Sequence, residues 1–316
     1  MQVVITDCDH DSIDIEQGVL DAAQLPFRLE QCHTEDELIQ RCADADIFIN
    51  QYAPVTERVL EALPNLKMVV RYGVGVDNVD VDAATAHGVQ VCNVPDYGMN
   101  EVADQAIALM MALLRKVVPM NQQTKTERWD YTAAIPSHRL SELTVGVVGL
   151  GRIGREFAKR AHALGMRVIG YDPYFSPSEE FDFIEQVDLD TLQRTADVIS
   201  AHCPPETAMG MFDDEAFDRM KDTAYLINVA RGGIVDEDAL DRALTEGKIA
   251  GAALDCMAHE PVSPDDPLFR HENLLVTPHM AWYSEEAAAE LKRKVAEESV
   301  RFAAGEPVRY PVNSLT

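Results

Sequence analysis

Hydrophobic and polar positions alternate in two rhythms along the first part of the chain. Val3-Val4-Ile5-Thr6 is a short β-branched run, followed later by Ile47-Phe48-Ile49, Met68-Val69-Val70 and Val89-Gln90-Val91-Cys92-Asn93. Between the first two runs, Glu35 to Cys42 places Leu38, Ile39 and Cys42 on one helical face. Strands separated by helices predict a parallel sheet with crossover connections. The apolar residues Val102, Ala106, Ile107, Leu109, Met110, Leu113 and Leu114 predict a long helix over 100–118, capped by Asn100. They cover most of its circumference, so the helix is expected to be buried between domains or subunits.

A polar stretch runs from Asn121 to Arg139 and contains Trp129, Tyr131 and Pro136. Leu143-Thr144-Val145-Gly146-Val147-Val148 then opens a fresh strand, so a second α/β unit starts near residue 141. Further strands are expected at 167–171, 198–202, 224–228, 250–254 and 274–277, and a final helix from Ser284 to Ala304. The chain has 316 residues, too many for one ordinary core, and two domains are expected.

The strand at 145–148 leads into Gly149-Leu150-Gly151-Arg152-Ile153-Gly154, and a helix follows from Arg155 to Leu164. In that setting the glycines have separate tasks. Gly149 makes the tight turn, Gly151 lets backbone approach a pyrophosphate, and Gly154 lets helix and strand pack closely. Free N–H groups near Arg152 and Ile153 would hold the phosphates. Asp172 lies 18 residues beyond Gly154 and can accept hydrogen bonds from ribose hydroxyls. Its charge would repel a 2′-phosphate, and Pro173 and Tyr174 supply no cation, so NAD is favoured over NADP.

Downstream, Asn228-Val229-Ala230-Arg231-Gly232-Gly233, His259-Glu260-Pro261 and Thr277-Pro278-His279 each carry one polar group. Reducing a 2-oxo acid needs a hydride at C2 and a proton at the carbonyl oxygen. An imidazole suits the proton, which points to His279. A carboxylate such as Glu260 beside an imidazole favours the protonated form and fixes the tautomer. Arg231 would bind the substrate carboxylate and polarise the carbonyl. Each residue also has a structural alternative: a surface histidine, one acid among 54, an ion-pairing arginine. Their order after a nucleotide strand sets the constellation apart.

With Gly73-Val74-Gly75-Val76-Asp77-Asn78 and Asp255 added, these motifs make the chain resemble the D-isomer-specific 2-hydroxyacid dehydrogenases over nearly its whole length. Ala281-Trp282-Tyr283-Ser284-Glu285 resembles the branch that contains the C-terminal-binding-protein corepressors, and 93–98 is similar to bacterial members near it. The resemblance implies two Rossmann/flavodoxin-like doubly wound domains with a cofactor cleft between them. Residues 1–97 with 285–316 would form a discontinuous substrate domain, and 98–284 the NAD-binding domain. Cofactor contacts are implied at Gly149, Gly151, Arg152, Ile153, Gly154, Asp172, Cys203, Pro204, Val229, Ala230 and Asp255, the last at the nicotinamide edge. Substrate contacts are implied at Tyr72, Val74, Gly75, Arg231, His279 and Trp282, with Met99 and Asn100 nearby. Trp282 would wall the substrate pocket or pack at the domain seam. The loop from Cys203 to Ala208 is slightly shorter than the family's pattern.

The resemblance implies an NAD-dependent reductase of small 2-oxo acids, such as glyoxylate, hydroxypyruvate or pyruvate. Formate dehydrogenases have Gln where this chain has Glu260, and a phosphorylated substrate would find only Arg71 near Gly73. The alternative is an NAD-sensing, corepressor-like interaction protein with little turnover. A homodimer is expected under either reading, through the helix from Asn100 and the Trp129 segment. Composition narrows the partners further. Fifty-four acidic against 27 basic residues give a net charge of −27, which argues against nucleic acid and anionic membranes. The surface is well solvated or, more sharply, salt-adapted: only 8 of the 27 basic residues are Lys. No apolar run approaches the ~20 residues of a membrane span, and Met1 to Asp7 reads as a strand rather than a leader. Six cysteines without a C-x-x-C pair fit buried thiols in a reducing cytoplasm, and no metal-ligand spacing is present.

Overall fold

Short β-branched runs buried on both faces need helices to cover them, and the chain supplies both in alternation. The computed structural model describes residues 1–126 and 128–315. Glu127, in the polar stretch, and Thr316, at the end of the expected substrate domain, lie outside the described residues. The chain first runs β1 (Val3–Ile5), α1 (Asp14–Ala22), β2 (Phe27–Leu29), α2 (Glu35–Arg41), β3 (Ile47–Asn50), α3 (Glu57–Ala62), β4 (Met68–Arg71), α4 (Val81–Ala86) and β5 (Gln90–Cys92). It continues through α5 (Met99–Leu114), α6 (Val117–Thr126), β6 (Thr144–Val148), α7 (Arg152–Ala163), β7 (Arg167–Tyr171), β8 (Ile184–Gln186), α8 (Leu189–Thr195) and β9 (Val198–Ala201). Then follow α9 (Pro205–Ala208), α10 (Asp214–Arg219), β10 (Tyr225–Asn228), α11 (Glu237–Glu246), β11 (Gly251–Leu254), β12 (Leu274–Val276) and α12 (Glu285–Ala303).

Contacts divide the chain into two units, residues 1–98 with the segment from Ser284, and Met99–Tyr283. These limits differ by one residue from those expected at 97 and 285. The first unit holds a parallel sheet in the order β2-β1-β3-β4-β5, the flavodoxin-like arrangement. Val4, Phe48, Val69 and Val91 pack with Leu38, Val59 and Leu60 in its core. Ser284 caps α12, its hydroxyl accepting from the Ala287 N–H at 2.9 Å. The second unit holds a parallel sheet in the order β12-β11-β10-β9-β6-β7-β8, with an apolar cluster on each face. Its strand order reverses between β6 and β9, the place where doubly wound sheets bind ligands.

Two readings from sequence need correction. The single helix expected over 100–118 is two, because Lys116 lies between α5 and α6 with φ of 50°. Asn100 does not cap α5; it sits within the first turn, and its Oδ1 accepts from Arg160 Nη2 at 3.1 Å. Within the chain, α5 is buried at Ala103, Ala106, Leu109, Met110 and Leu113, and α6 buries none of its residues. The edge strands β2 and β8, three residues each, carry too few positions to show a period. The six cysteines are free and buried. Among the described residues no helix is long and apolar enough to cross a membrane.

Candidate active site

The glycine fingerprint sits at the strand reversal of the second unit. Gly149 follows β6 with φ of +89°, and a Cβ there would lie 2.8 Å from the backbone of His202 and Cys203. Gly154 lies in the first turn of α7, where a Cβ would run into the Gly149 carbonyl. Gly151 differs from both: it caps α7 without a side-chain hydrogen bond, and its Cβ position is open space. The N–H groups of Arg152, Ile153 and Gly154 therefore stand at an uncapped helix start that backbone can approach closely. Asp172 follows β7; its Oδ2 accepts from the Leu150 N–H and its Oδ1 from the Tyr174 N–H, both at 2.8 Å. It thus shapes the turn, and each oxygen retains a lone pair for a ribose hydroxyl. An open glycine, an uncapped helix and a carboxylate fit a dinucleotide.

Three further loops leave the same sheet. Asn228, at the end of β10, accepts from the Ala230 N–H at 3.1 Å and donates to the Arg231 carbonyl at 2.8 Å. The Arg231 loop is thereby folded on itself, with Nη1 donating to the Ala230 carbonyl at 2.8 Å. Val229 is buried and Ala230 half-buried. Glu260 and His279 come together: His279 Nδ1 and Glu260 Oε2 are 2.8 Å apart. The other Glu260 oxygen accepts from the Met257 N–H at 2.8 Å. Burial acts to raise the Glu260 carboxyl, but the His279 and Met257 hydrogen bonds and the nearby Arg231 charge outweigh it and hold it below its ordinary value.

His279 has a φ of 51°, in the left-handed region, and its N–H donates to the Asp255 carbonyl at 2.7 Å. The Asp255 side chain explains how this conformation is held. Its carboxylate is buried and accepts from the Thr277 hydroxyl, from the Met280 N–H at 3.1 Å and from the Ala281 N–H at 2.9 Å. Burial pushes its pKa up against those three bonds. Asp255, which the resemblance places at the nicotinamide edge, spends most of its acceptor capacity on the His279 loop. Trp282 is half-buried, its ring edge-on to Tyr283 with centroids 5.5 Å apart. The Cys203 thiol is buried, which pushes its pKa up to about 11, and Pro204 is exposed before α9. Among the described residues no group of three His, Cys, Asp or Glu is disposed to hold a metal.

In the first unit, Gly73 follows β4 with φ of +133°, and its carbonyl accepts from the Val94 N–H at 2.9 Å. The Val74 carbonyl accepts from Asn93 Nδ2 at 2.6 Å, and the Val74 residue is 43% exposed. Arg71 folds back over the turn: a Cβ on Gly73 would lie 3.1 Å from its Cζ. Val74 and Gly75 thus stand on an accessible turn beside a guanidinium. Tyr72 does not offer its phenol there. Its side chain is buried, and its hydroxyl donates to the fully buried Glu16 at 2.8 Å.

Comparisons with known proteins identify the family to which this chain belongs. Residues 107–281 match the family model for the D-isomer specific 2-hydroxyacid dehydrogenase, NAD binding domain. The chain is 38% identical over 275 residues to a glyoxylate reductase of Korarchaeum cryptofilum, covering 85% of this chain and 83% of that one. It belongs to the D-isomer-specific 2-hydroxyacid dehydrogenase family. A D-3-phosphoglycerate dehydrogenase of Archaeoglobus fulgidus is 41% identical over 283 residues, 89% of this chain but 54% of its own length. The chain thus spans about half the length of the phosphoglycerate dehydrogenases it matches. The structure of a D-lactate dehydrogenase from Aquifex aeolicus, complexed with NAD and lactic acid, superposes with a TM-score of 0.86 at 28% identity, over 96% of each chain. Sequence reasoning quoted Asn228 and Thr277 within its motifs but gave neither a role; they touch Arg231 and Asp255. The only signal for either was its place beside a named motif residue.

Proposed function

We propose that this family member interconverts a small 2-oxo acid and a D-2-hydroxy acid with NAD as cofactor. Residues 99–283 would carry the dinucleotide and the discontinuous unit the substrate lobe. The bound dinucleotide supplies or takes the hydride at C2. His279 gives the proton to the carbonyl oxygen, or takes it in the reverse direction, through Nε2. The observation that carries this role is the 2.8 Å bond between His279 Nδ1 and Glu260 Oε2, which occupies one ring nitrogen and leaves the other for substrate. Glu260 orients the ring and stabilises the imidazolium. Arg231 binds the substrate carboxylate through its guanidinium fork. Trp282 walls the pocket. The names of the matched glyoxylate reductase and D-lactate dehydrogenase support a short 2-oxo acid. Nothing in the geometry favours the corepressor-like alternative.

NADH oxidation against a panel of 2-oxo acids tests this reading. The wild type should turn over at least one, and His279→Ala should lose about 10²- to 10⁴-fold in kcat. Retained turnover in the variant would remove His279 from the chemistry. We further propose a homodimer through the segment around Trp129, which is 94% exposed beside Tyr131 at 76%. A solution mass of 35.0 kDa at micromolar concentration would refute it. Six buried free thiols suit a reducing compartment such as the cytoplasm.

A further inference from the structure

Glu260 reaches His279 from a short turn, Met257 to Glu260, and that turn has little apolar anchorage of its own. Met257 is buried, but Ala258, His259 and Glu260 are exposed. Two contacts from elsewhere fix it. The first is steric: Gly232, next to Arg231, lies flat against the Met257 carbonyl, and a Cβ there would be 2.7 Å from the Ala258 nitrogen. The second is polar. The Ala258 N–H donates to Glu237 Oε1 at 2.6 Å. Glu237 is the first residue of α11, directly after the Asp236 cap, whose Oδ1 accepts from the Ala239 N–H at 2.9 Å. That helix is seated by Ala239, Leu240, Ala243 and Leu244, all buried. The carboxylate therefore reaches the turn from a rigid base.

We propose that Glu237 is a positioning residue: by holding the Ala258 N–H it sets the angle at which Glu260 meets His279 Nδ1. This rests on the dehydrogenase reading of Glu260 and His279. The chain of contacts is short and lies within one unit, running from Glu237 to Ala258, two residues on to Glu260, and across to His279. It is clamped opposite by the Gly232 backbone of the Arg231 loop. An acid at the first position of a helix also complements the macrodipole, a role that needs charge but no particular acceptor geometry. The two roles separate by substitution, because glutamine keeps the acceptor oxygen and discards the charge.

The test uses the full chain with Glu237→Gln and Glu237→Ala. Amide exchange at Ala258 should accelerate at least tenfold in the alanine variant and stay near wild type in the glutamine variant. With NADH and the best 2-oxo acid, Glu237→Ala should lose about 10- to 100-fold in kcat. NADH affinity should be unchanged, and Glu237→Gln should retain most of the rate. Unaltered exchange at Ala258 in Glu237→Ala overturns the proposal. So does an equal loss of rate in both variants, which would assign the effect to charge. The exchange measurement decides the positioning role independently of turnover. A wild type inactive on every 2-oxo acid would instead remove the dehydrogenase reading and leave the exchange result standing.

Discussion

Gly151 and Gly154, three residues apart in one fingerprint, should respond in opposite ways to the same added methyl. At Gly154 a Cβ would lie 3.3 Å from His202 Cβ, 3.1 Å from the Gly149 carbonyl carbon and closer still to its oxygen. That oxygen belongs to backbone held at φ of +89°, itself packed on Cys203, so it has no rotamer through which to yield. α7 must move off the turn. Overpacking of this kind costs about 1–3 kcal/mol. For a unit of this size each kcal/mol lowers Tm by about 2–4 °C, so Gly154→Ala should melt roughly 2–12 °C early. At Gly151 the added Cβ meets nothing within 4 Å, and the φ of −69° suits any residue. Gly151→Ala should therefore change stability by no more than about 0.5 kcal/mol. If a pyrophosphate rests on that open backbone, the methyl occupies its approach, and NADH affinity should fall at least tenfold, about 1.4 kcal/mol. Thermal melts by circular dichroism and NADH fluorescence titration read both effects. Gly151→Ala binding NADH as tightly as wild type would refute the placement of the cofactor phosphates. Gly154→Ala melting with wild type would refute the rigid contact.

Other perturbations bear on the loop chemistry and the surface. Asp255→Asn cannot accept from the Thr277 hydroxyl, the Met280 N–H and the Ala281 N–H in the same way. It should cost about 1–3 kcal/mol by leaving a buried donor unmatched and slow turnover by loosening His279; an unchanged melting temperature would argue against the grip. Glu260→Gln should be less stable than wild type near neutrality, because the native carboxyl is held below its ordinary value. A lowered carboxyl contributes fully above the unfolded value of about 4.3 and loses that contribution as pH falls through the native value. The gap between variant and wild type should therefore close on acidification, and a gap that widens in acid would contradict the assignment. Raising KCl from 0.1 to 1 M shortens the screening length from about 10 to 3 Å and should raise the melting temperature, since 54 acids oppose 27 basic residues. A flat response would show that the surface carboxylates are already compensated.

Much of the second unit was legible because its signals are local. A strand, a glycine turn and a helix in register mark the nucleotide site within about a dozen residues, and periods of 2 and 3.6 need no more than that. The parallel arrangement of both sheets followed from alternation alone. The discontinuity of the first unit did not; it came from resemblance, since no local pattern says that a C-terminal helix returns to an N-terminal sheet. The break at Lys116 escaped because a left-handed residue there carries no glycine or asparagine to announce it. The inward turn of the Tyr72 side chain escaped for a different reason. Its neighbour Gly73 marks a turn at the sheet's end, but only the packing of α1 shows that Glu16 waits inside for the phenol.

The residues proposed to carry chemistry and those that hold them in place therefore differ in kind. His279 and Glu260 announce themselves because the proposed proton transfer restricts the choice to a few side chains, and such side chains stand out beside a proline or a glycine. Asp255 and Glu237 act on backbone N–H groups, which every non-proline residue owns, so their partners leave no mark in the sequence. Glu237 in particular reads as one more acid in the first turn of a helix. The partner at Ala258 exists only because β10 and β11 lie side by side and send their loops to one end of the sheet. Burial gives the same asymmetry an energetic form. Burial raises the Asp255 pKa, and three donors from the loop that it holds oppose that rise. Removing any of those donors weakens the loop and raises the cost of the charge together. The placement of His279 is thus tied to the hydrogen bonds that Asp255 makes with the loop.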